Sequence, residues 1–158
     1  MGTVAFQDLM PHNQCWGCGP SNEHGLKVKS YWSDDGEESV CTWAAEPQLC
    51  AGSSDVLNGG VIAALLDCHA VCTAAADAYR LAGREIGTEP SLGYVTASIN
   101  VQYRHPTPIA EPVTVWARVV ERSGRRTTLT CRLESQGRET ARAEVVAVRP
   151  ARSSDDQR

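Results

Sequence analysis

The sequence has no long uncharged run of apolar residues and no excess of positive charge. No window of about 18 residues is apolar and uncharged throughout, so no membrane-spanning helix is predicted. The first residues lack a basic stretch followed by an apolar run, which argues against a secretory signal. The 15 Lys and Arg residues are outnumbered by 19 Asp and Glu residues, giving a net charge of −4. A chain with this acidic balance is not expected to bind nucleic acid.

Disulfide bonds are also not expected, although the chain has seven cysteines. Their number is odd and no export signal accompanies them, so they are interpreted as mainly reduced thiols of a cytoplasmic protein. A chain of 158 residues, 42% hydrophobic and 22% charged, can bury a core without disulfide or metal staples. We expect one domain over residues 1–150, with an irregular N-terminal extension over 1–25 and a flexible tail over 151–158.

The N-terminal extension contains four potential zinc ligands in a short span, at His12, Cys15, Cys18 and His24. A single Cys-x-x-Cys is a weak signal, because structural zinc sites usually bring a second ligand pair. No metal is therefore expected. A redox role is disfavoured as well, because no βαβ unit follows the two cysteines.

Apolar–polar alternation and turn residues predict about six strands and one long helix. Two strands, near 26–31 and 40–43, precede the helix, and four strands, near 95–104, 113–119, 127–134 and 138–148, follow it. In the strand that begins at Val95, odd-numbered residues as far as Tyr103 are predicted to share one face and even-numbered residues the other. The order β-β-α-β-β-β-β indicates an α+β fold with an antiparallel sheet.

The helix is predicted from Gly59 to about Arg80, with Asn58 as its N-cap and Gly83 marking its end. Between Gly59 and Ala76 it is apolar nearly all the way round, and such a helix is buried on all faces. One sheet covers only part of that surface. A curved sheet, a partner subunit or both are expected to cover the rest.

Two side chains in this stretch can carry charge, Asp67 and His69. Asp67 lies at the centre of a face of small residues, where an ionised carboxylate is costly unless it is paired, hydrogen-bonded or facing a wet cleft. It is a candidate functional group or, equally, an acid that caps the backbone of a neighbouring loop. His69 lies on the opposite face and is interpreted as a hydrogen-bonded core histidine. At the helix start, Gly59 and Gly60 offer backbone N–H groups that can polarise a carbonyl.

These residues form a known signature. The segment from Asn58 to Asp67 resembles the [His/Asn]-Gly-Gly-x(6)-[Asp/Glu] motif of hotdog-fold acyl-CoA thioesterases, most of all the phenylacetate-degradation (PaaI-like) branch. The strand from Val95 to Pro106 resembles the third strand of that family. The segment Cys15–Asn22 resembles an N-terminal extension found in some members. The resemblance runs from about Cys15 to Arg149, nearly the whole chain.

The resemblance implies a hotdog fold, in which a curved antiparallel sheet of about six strands wraps one long helix. It implies that Asp67 is the catalytic carboxylate, as general base on water or as nucleophile on the thioester. It also implies that a backbone N–H of Gly59 or Gly60 polarises the carbonyl, with Asn58 standing where many members have His. The expected assembly is a homodimer or homotetramer with active sites at the subunit interface. No cofactor is implied apart from the coenzyme A (CoA) of an acyl-CoA substrate.

Further contacts to an acyl-CoA substrate are expected from polar and basic residues. Thr96 or Ser98 is a candidate polar partner, because Gly52 and Val71 offer no polar side chain where some members carry one. The CoA phosphates call for a local basic cluster, and the candidates are Arg104 with His105, and Arg122, Arg125 and Arg126 at a turn. A solvated hairpin tip is the alternative interpretation of that turn.

Two other functions remain open from the sequence. An acyl-thioester hydratase or dehydratase of the same fold would need a catalytic histidine, and only His69 could serve. A non-catalytic acyl-CoA-binding protein is the second alternative.

Overall fold

The computed structural model describes residues 3–151, and these form one helix against one sheet. The elements are β1 (Tyr31–Trp32), β2 (Ser39–Trp43), α1 (Gly59–Leu81), β3 (Val95–Tyr103), β4 (Val113–Ser123), β5 (Arg126–Ser135) and β6 (Arg138–Val148). Short 3₁₀ turns occur at Phe6–Leu9 and Pro47–Leu49. The six strands pair antiparallel in the order β1-β2-β4-β5-β6-β3. The predicted α+β class and order of elements are confirmed. Of the predicted tail, only Ala151 lies within the described residues.

The two ends of α1 follow from its sequence. Asn58 Oδ1 accepts hydrogen bonds from the N–H groups of Gly60 and Val61, at 2.8 and 3.4 Å. At the other end Gly83 takes a φ of +62°, a conformation that glycine adopts without strain. This residue terminates the helix, as predicted, because its N–H folds back to a carbonyl of the last turn.

The helix is covered by the sheet on one side and by the N-terminal segment on the other. Val115, Leu129 and Val145 of the sheet belong to the same core as Phe6 and Cys18 of the N-terminal segment. The chain itself therefore supplies part of the cover that the sequence analysis assigned to a curved sheet or a second subunit. By length and composition α1 could cross a membrane, but in the structure it is this core helix.

The first predicted strand is mostly wrong. Of the predicted residues, only Tyr31 lies in a strand, β1, which pairs with β2, and residues 26–30 lie outside the sheet. Lys27 has a φ of +56°, and the N–H groups of Leu26 and Val28 bond to the carbonyls of Trp16 and Gly17 instead. Alternating burial was a real signal, since every second side chain here is buried. The alternating burial of residues 26–30 arises from packing against the N-terminal loop rather than from pairing in the sheet.

Strict alternation also fails in β3, because the strand contains a bulge. The register shifts between Thr96, which faces Ala147, and Ser98, which faces Val146. Cross-strand partners share a face, and Ala147 is fully buried. The bulge therefore turns Thr96 toward the helix, on the same face as Val101, and leaves Ser98 on the outer face.

Strand β3 is an edge of the sheet and is exposed along almost its whole length. Val95 and Tyr103, at its two ends, are 53% and 54% exposed. An edge strand that keeps apolar side chains in water offers unpaired backbone groups for pairing with another strand.

Candidate active site

The Asp67 carboxylate lies in the middle of α1 and faces the beginning of β3. The Thr96 hydroxyl donates a hydrogen bond to its Oδ1 atom at 2.5 Å. Among residues 3–151, no other group donates to Asp67, so the structure gives no support for a loop-capping role. Burial raises the pKa of Asp67 above the usual value, and the bond from Thr96 opposes that effect. The Thr96 bond involves Oδ1, so the Oδ2 atom of the Asp67 carboxylate is free to accept a proton.

A cavity of about 390 Å³ opens beside Asp67. Its walls come from three parts of the chain: the N-terminal segment around Cys15, the middle of α1 and the beginning of β3 at Thr96. Val71, one helical turn after Asp67, presents an apolar surface to it. The cavity therefore combines one carboxylate with a largely apolar wall, the combination expected for an acyl chain next to a reacting carbonyl.

The start of α1 lies beside a second cavity of about 480 Å³. The Gly60 N–H donates to Asn58, whereas the Gly59 N–H has no hydrogen-bond partner in the described part of the chain. A further residue at this position, Tyr103, was missed by the sequence analysis. Its hydroxyl donates to the Gly59 carbonyl at 2.6 Å, and its ring lies 3.4 Å from where a side chain at Gly59 would begin. The free donor here is therefore Gly59 rather than Gly60.

Gly59 and Asp67 do not form one site within a single chain. Eight residues of α-helix separate them, a rise of about 12 Å. Each lies near a different end of β3, Asp67 at Thr96 and Gly59 at Tyr103. One carbonyl group cannot contact both residues of the same chain.

His69 is fully buried and has polar partners on both ring nitrogens. Its Nδ1 lies 2.8 Å from Ser30 Oγ and its Nε2 lies 3.0 Å from Ser39 Oγ. Burial lowers its pKa to about 4, so the ring is neutral at physiological pH. These contacts confirm the interpretation of His69 as a hydrogen-bonded core histidine. His69 does not line the cavity of Asp67.

The predicted basic residues do not form one cluster. Arg122 binds the buried carboxylate of Asp77 at 2.7 and 2.9 Å, and Arg104 pairs with Glu139 at 3.3 Å. His105 contacts Arg138, and Arg125 and Arg126 are exposed at the β4–β5 turn. Arg125 donates to the carbonyl of Arg149, and Ser98 lies on the outer face of the sheet. Thr96 alone of the predicted accessory residues contacts Asp67.

Two pairs of cysteines meet next to Asp67. Cys15 contacts Cys68, and Cys18 contacts Cys72, whereas His12 and His24 are exposed and outside this group. Hydrogen bonds from Cys68 and Cys72 lower the pKa of Cys18 well below its usual value. The same contacts, together with burial, raise the pKa of Cys68 and of Cys72.

The sequence profile of the thioesterase superfamily matches residues 55–145, more than half of the chain. The chain therefore belongs to the thioesterase superfamily. Among curated proteins, none matches significantly.

Many solved structures are similar to this one. A thioesterase superfamily protein from Shewanella loihica PV-4 is 29% identical, with 84% of this chain and 98% of that chain covered and a TM-score of 0.64. The PaaI protein of the Escherichia coli phenylacetic acid degradation operon is 16% identical, with coverages of 80% and 81% and a TM-score of 0.64. A Streptococcus mutans UA159 protein bound to acetyl-CoA is 14% identical, with coverages of 73% and 83% and a TM-score of 0.58.

These similarities confirm the hotdog fold and the family resemblance drawn from residues 58–67. Membership of this superfamily supports hydrolysis of an acyl thioester in general terms.

Proposed function

We propose that this protein hydrolyses an acyl-CoA thioester to a free carboxylic acid and CoA. The observation that carries the proposal is the Asp67 carboxylate, which is half-buried beside a cavity and oriented by Thr96 at 2.5 Å. A carboxylate in this setting is suited to activate water or to attack a thioester carbon.

In the general-base route, Asp67 Oδ2 accepts a proton from water as the water oxygen bonds to the thioester carbon. The carbon–sulfur bond then breaks, and the proton held by Asp67 passes to the departing thiolate. In the nucleophilic route, Oδ2 itself bonds to the carbon, the thiolate departs, and water hydrolyses the resulting anhydride. Both routes place negative charge on the carbonyl oxygen, which requires a hydrogen-bond donor.

We propose that this donor is the Gly59 N–H of a second copy of the chain. The helix N-terminus adds its positive dipole to that N–H group. If two β3 edges pair antiparallel about a two-fold axis near the middle of the strand, the beginning of one β3 lies beside the end of the other. Asp67 of one protomer then approaches Gly59 of its partner, which supports a homodimer as the smallest active unit.

CoA is the proposed carrier of the acyl group for two reasons. The similar Streptococcus mutans protein was solved with acetyl-CoA. Two of the predicted basic residues, Arg125 and Arg126, have no acid partner in the described part of the chain and are exposed at the β4–β5 turn, where they are available to phosphates. No further cofactor is needed, because water is the only co-substrate of the reaction.

The hydratase alternative is disfavoured by His69. Both of its ring nitrogens are engaged by serine hydroxyls in the core, so it has no access to a substrate in the cavity. A non-catalytic acyl-CoA-binding protein is separated from an enzyme by the experiment below.

The proposal is tested with a panel of acyl-CoA thioesters and detection of the released thiol. The parent protein should turn over at least one of them, and Asp67→Asn should lower kcat by about 10²-fold or more, the scale of a positioned general base. The fold and the affinity for acyl-CoA should remain close to those of the parent. The control is Glu121→Gln, which removes an exposed carboxylate of β4 outside both cavities. Equal turnover by Asp67→Asn and the parent would disprove the assignment, and binding without turnover by the parent would show a binding protein.

A further inference from the structure

Four cysteine side chains converge where the N-terminal loop meets α1, next to the cavity of Asp67. Cys15 and Cys18 come from a tight turn of the loop, in a Cys-x₂-Cys spacing. Cys68 and Cys72 are four residues apart on α1, so both project from one face of the helix. The absence of a second ligand pair was the reason for expecting no metal, and the helix supplies that pair.

Two of the distances between these sulfurs match the edge of a tetrahedral zinc–thiolate site. Cys15 Sγ lies 3.8 Å from Cys68 Sγ, and Cys18 Sγ lies 3.7 Å from Cys72 Sγ. The sulfurs of Cys15, Cys18 and Cys68 all lie within 4.8 Å of one another, whereas Cys72 Sγ lies outside this group of three and is in contact with Cys18. Zinc–sulfur bonds are about 2.3 Å long, so the edge of a zinc tetrathiolate tetrahedron is about 3.8 Å. We propose that Cys15, Cys18, Cys68 and Cys72 together bind one zinc ion.

The surrounding backbone leaves space for these sulfurs. A side chain at Gly17 would place its first carbon 2.2 Å from Cys68 Sγ, so only glycine fits between the two cysteines of the loop. The Gly19 N–H donates to the Cys15 carbonyl at 2.7 Å and closes the turn that points both loop sulfurs inward. The Asn13 amide lies 3.8 Å from Cys18 Sγ, a donor of the kind that orients and stabilises a metal-bound thiolate.

Disulfide bonds and [4Fe–4S] clusters fit these distances less well. A disulfide needs its two sulfurs at about 2.05 Å, and all seven cysteines are free thiols. In a [4Fe–4S] cluster, each cysteine binds a different iron and inorganic sulfide lies between the irons. That arrangement would separate the cysteine sulfurs further than 3.7–3.8 Å.

Four thiolate ligands leave no open coordination position, so the ion would be structural rather than catalytic. It would bind the N-terminal loop to α1 at Cys68, the residue after Asp67. Because Cys15, Cys18, Cys68 and Cys72 also line the Asp67 cavity, the ion would fix one wall of the proposed acyl site. The thiols must lose their protons on binding, which makes proton release a direct signal of binding.

The metal content of the full-length protein tests the proposal directly. Protein purified under reducing conditions from zinc-containing medium should contain about one zinc per chain by elemental analysis. Protein from cobalt-containing medium should show the thiolate-to-cobalt charge-transfer band and the visible bands of a tetrahedral tetrathiolate. Reduced, folded protein that holds well under one equivalent of zinc after incubation with it would overturn the proposal. Two disulfides among these four cysteines, in protein that binds no metal even after they are reduced, would overturn it as well.

Cysteine variants connect the ion to these four residues. Cys15→Ser is the preferred variant because Cys15 is exposed, so its loss leaves the core intact. It should weaken cobalt binding by at least about tenfold and change the charge-transfer band. The matched control is Cys50→Ser, which removes a half-buried thiol outside the cluster and should leave the metal content and spectrum unchanged. If Cys15→Ser binds cobalt as the parent does, the assignment is wrong. None of these measurements uses an acyl-CoA, so their failure would leave the proposed hydrolase activity untouched.

Discussion

The Thr96 hydroxyl donates a 2.5 Å hydrogen bond to Asp67 and links the edge strand β3 to the middle of α1. The bond occupies Oδ1 and leaves Oδ2 for a water or a thioester carbon. Because a β-bulge turns Thr96 toward the helix, a local irregularity of the strand orients the proposed catalytic group. Bulges are frequent next to active sites for this reason.

Thr96→Val removes that hydrogen bond while keeping a β-branched side chain of similar size. A hydrogen bond to a charged group contributes about 1.5 kcal/mol or more, so kcat/KM should fall by about tenfold. Steady-state kinetics and circular dichroism measure the effect and verify the fold. Ser98→Ala is the control, because Ser98 is on the outer face of the same strand. Equal losses in the two variants would show that Asp67 does not depend on Thr96.

Gly59→Pro removes the proposed carbonyl donor without disturbing the helix. Gly59 is the first residue of α1, where proline is well tolerated, and Asn58 before it has φ −61° and ψ 133°, which proline allows. Loss of one such donor costs about 10²–10³ in kcat. Gly59→Ala retains the N–H and should lose far less activity. If the two variants behave alike, the N–H of Gly59 is not the donor.

The helix and the four strands after it were predictable because their signals are local. Asn58 and Gly83 flank a single apolar segment. In the later strands, apolar and polar residues alternate, and turn residues mark the strand ends. The bulge at Thr96 was not predictable, since it depends on the register against β6 rather than on the residues of β3 alone. For this reason, the sequence left Thr96 and Ser98 as equal candidates, and the structure distinguishes them.

The sequence analysis mainly missed contacts between segments that are distant in the chain. Cys15 and Cys68 are 53 residues apart and meet only because the N-terminal loop folds over α1. One signal was present in the sequence: Cys68 and Cys72 have the i, i+4 spacing that places two ligands on one helical face. No comparable local pattern joins Tyr103 to Gly59, and their contact follows from the position of β3 at the edge of the sheet.

The ion cluster around Asp77 should make the stability of the protein depend on acid pH. Burial raises the pKa of Asp77, but hydrogen bonds from Arg122 and Arg80 outweigh it and hold the pKa below its usual value. A carboxyl whose pKa is lower in the folded state contributes stability above its unfolded pKa of about 3.9, and that stability is lost as pH falls through the folded value. Asp77→Asn should therefore reduce the free energy of unfolding at pH 7, by about 1–2 kcal/mol for partners that are half-exposed. Urea unfolding at several pH values should show the gap between variant and parent closing in acid. A gap that does not change with pH would contradict this role for Asp77.

Mixing two inactive variants tests whether Asp67 and Gly59 act across a subunit interface. In a dimer of one Asp67→Asn chain and one Gly59→Pro chain, one site has lost both groups and the other combines an intact Asp67 with the intact Gly59 of the partner. Random assembly makes about half of the dimers mixed, so co-expressed chains should recover about a quarter of the parent activity per chain. Each variant expressed alone should remain near its own low activity, and sedimentation should show the same oligomer in every sample. The control mixture pairs Asp67→Asn with a chain carrying both substitutions, which cannot form an intact site in any combination. If the active mixture recovers no more than this control while exchange of subunits is demonstrated, the two residues do not share a site, and the donor for the thioester carbonyl must come from the same chain as Asp67.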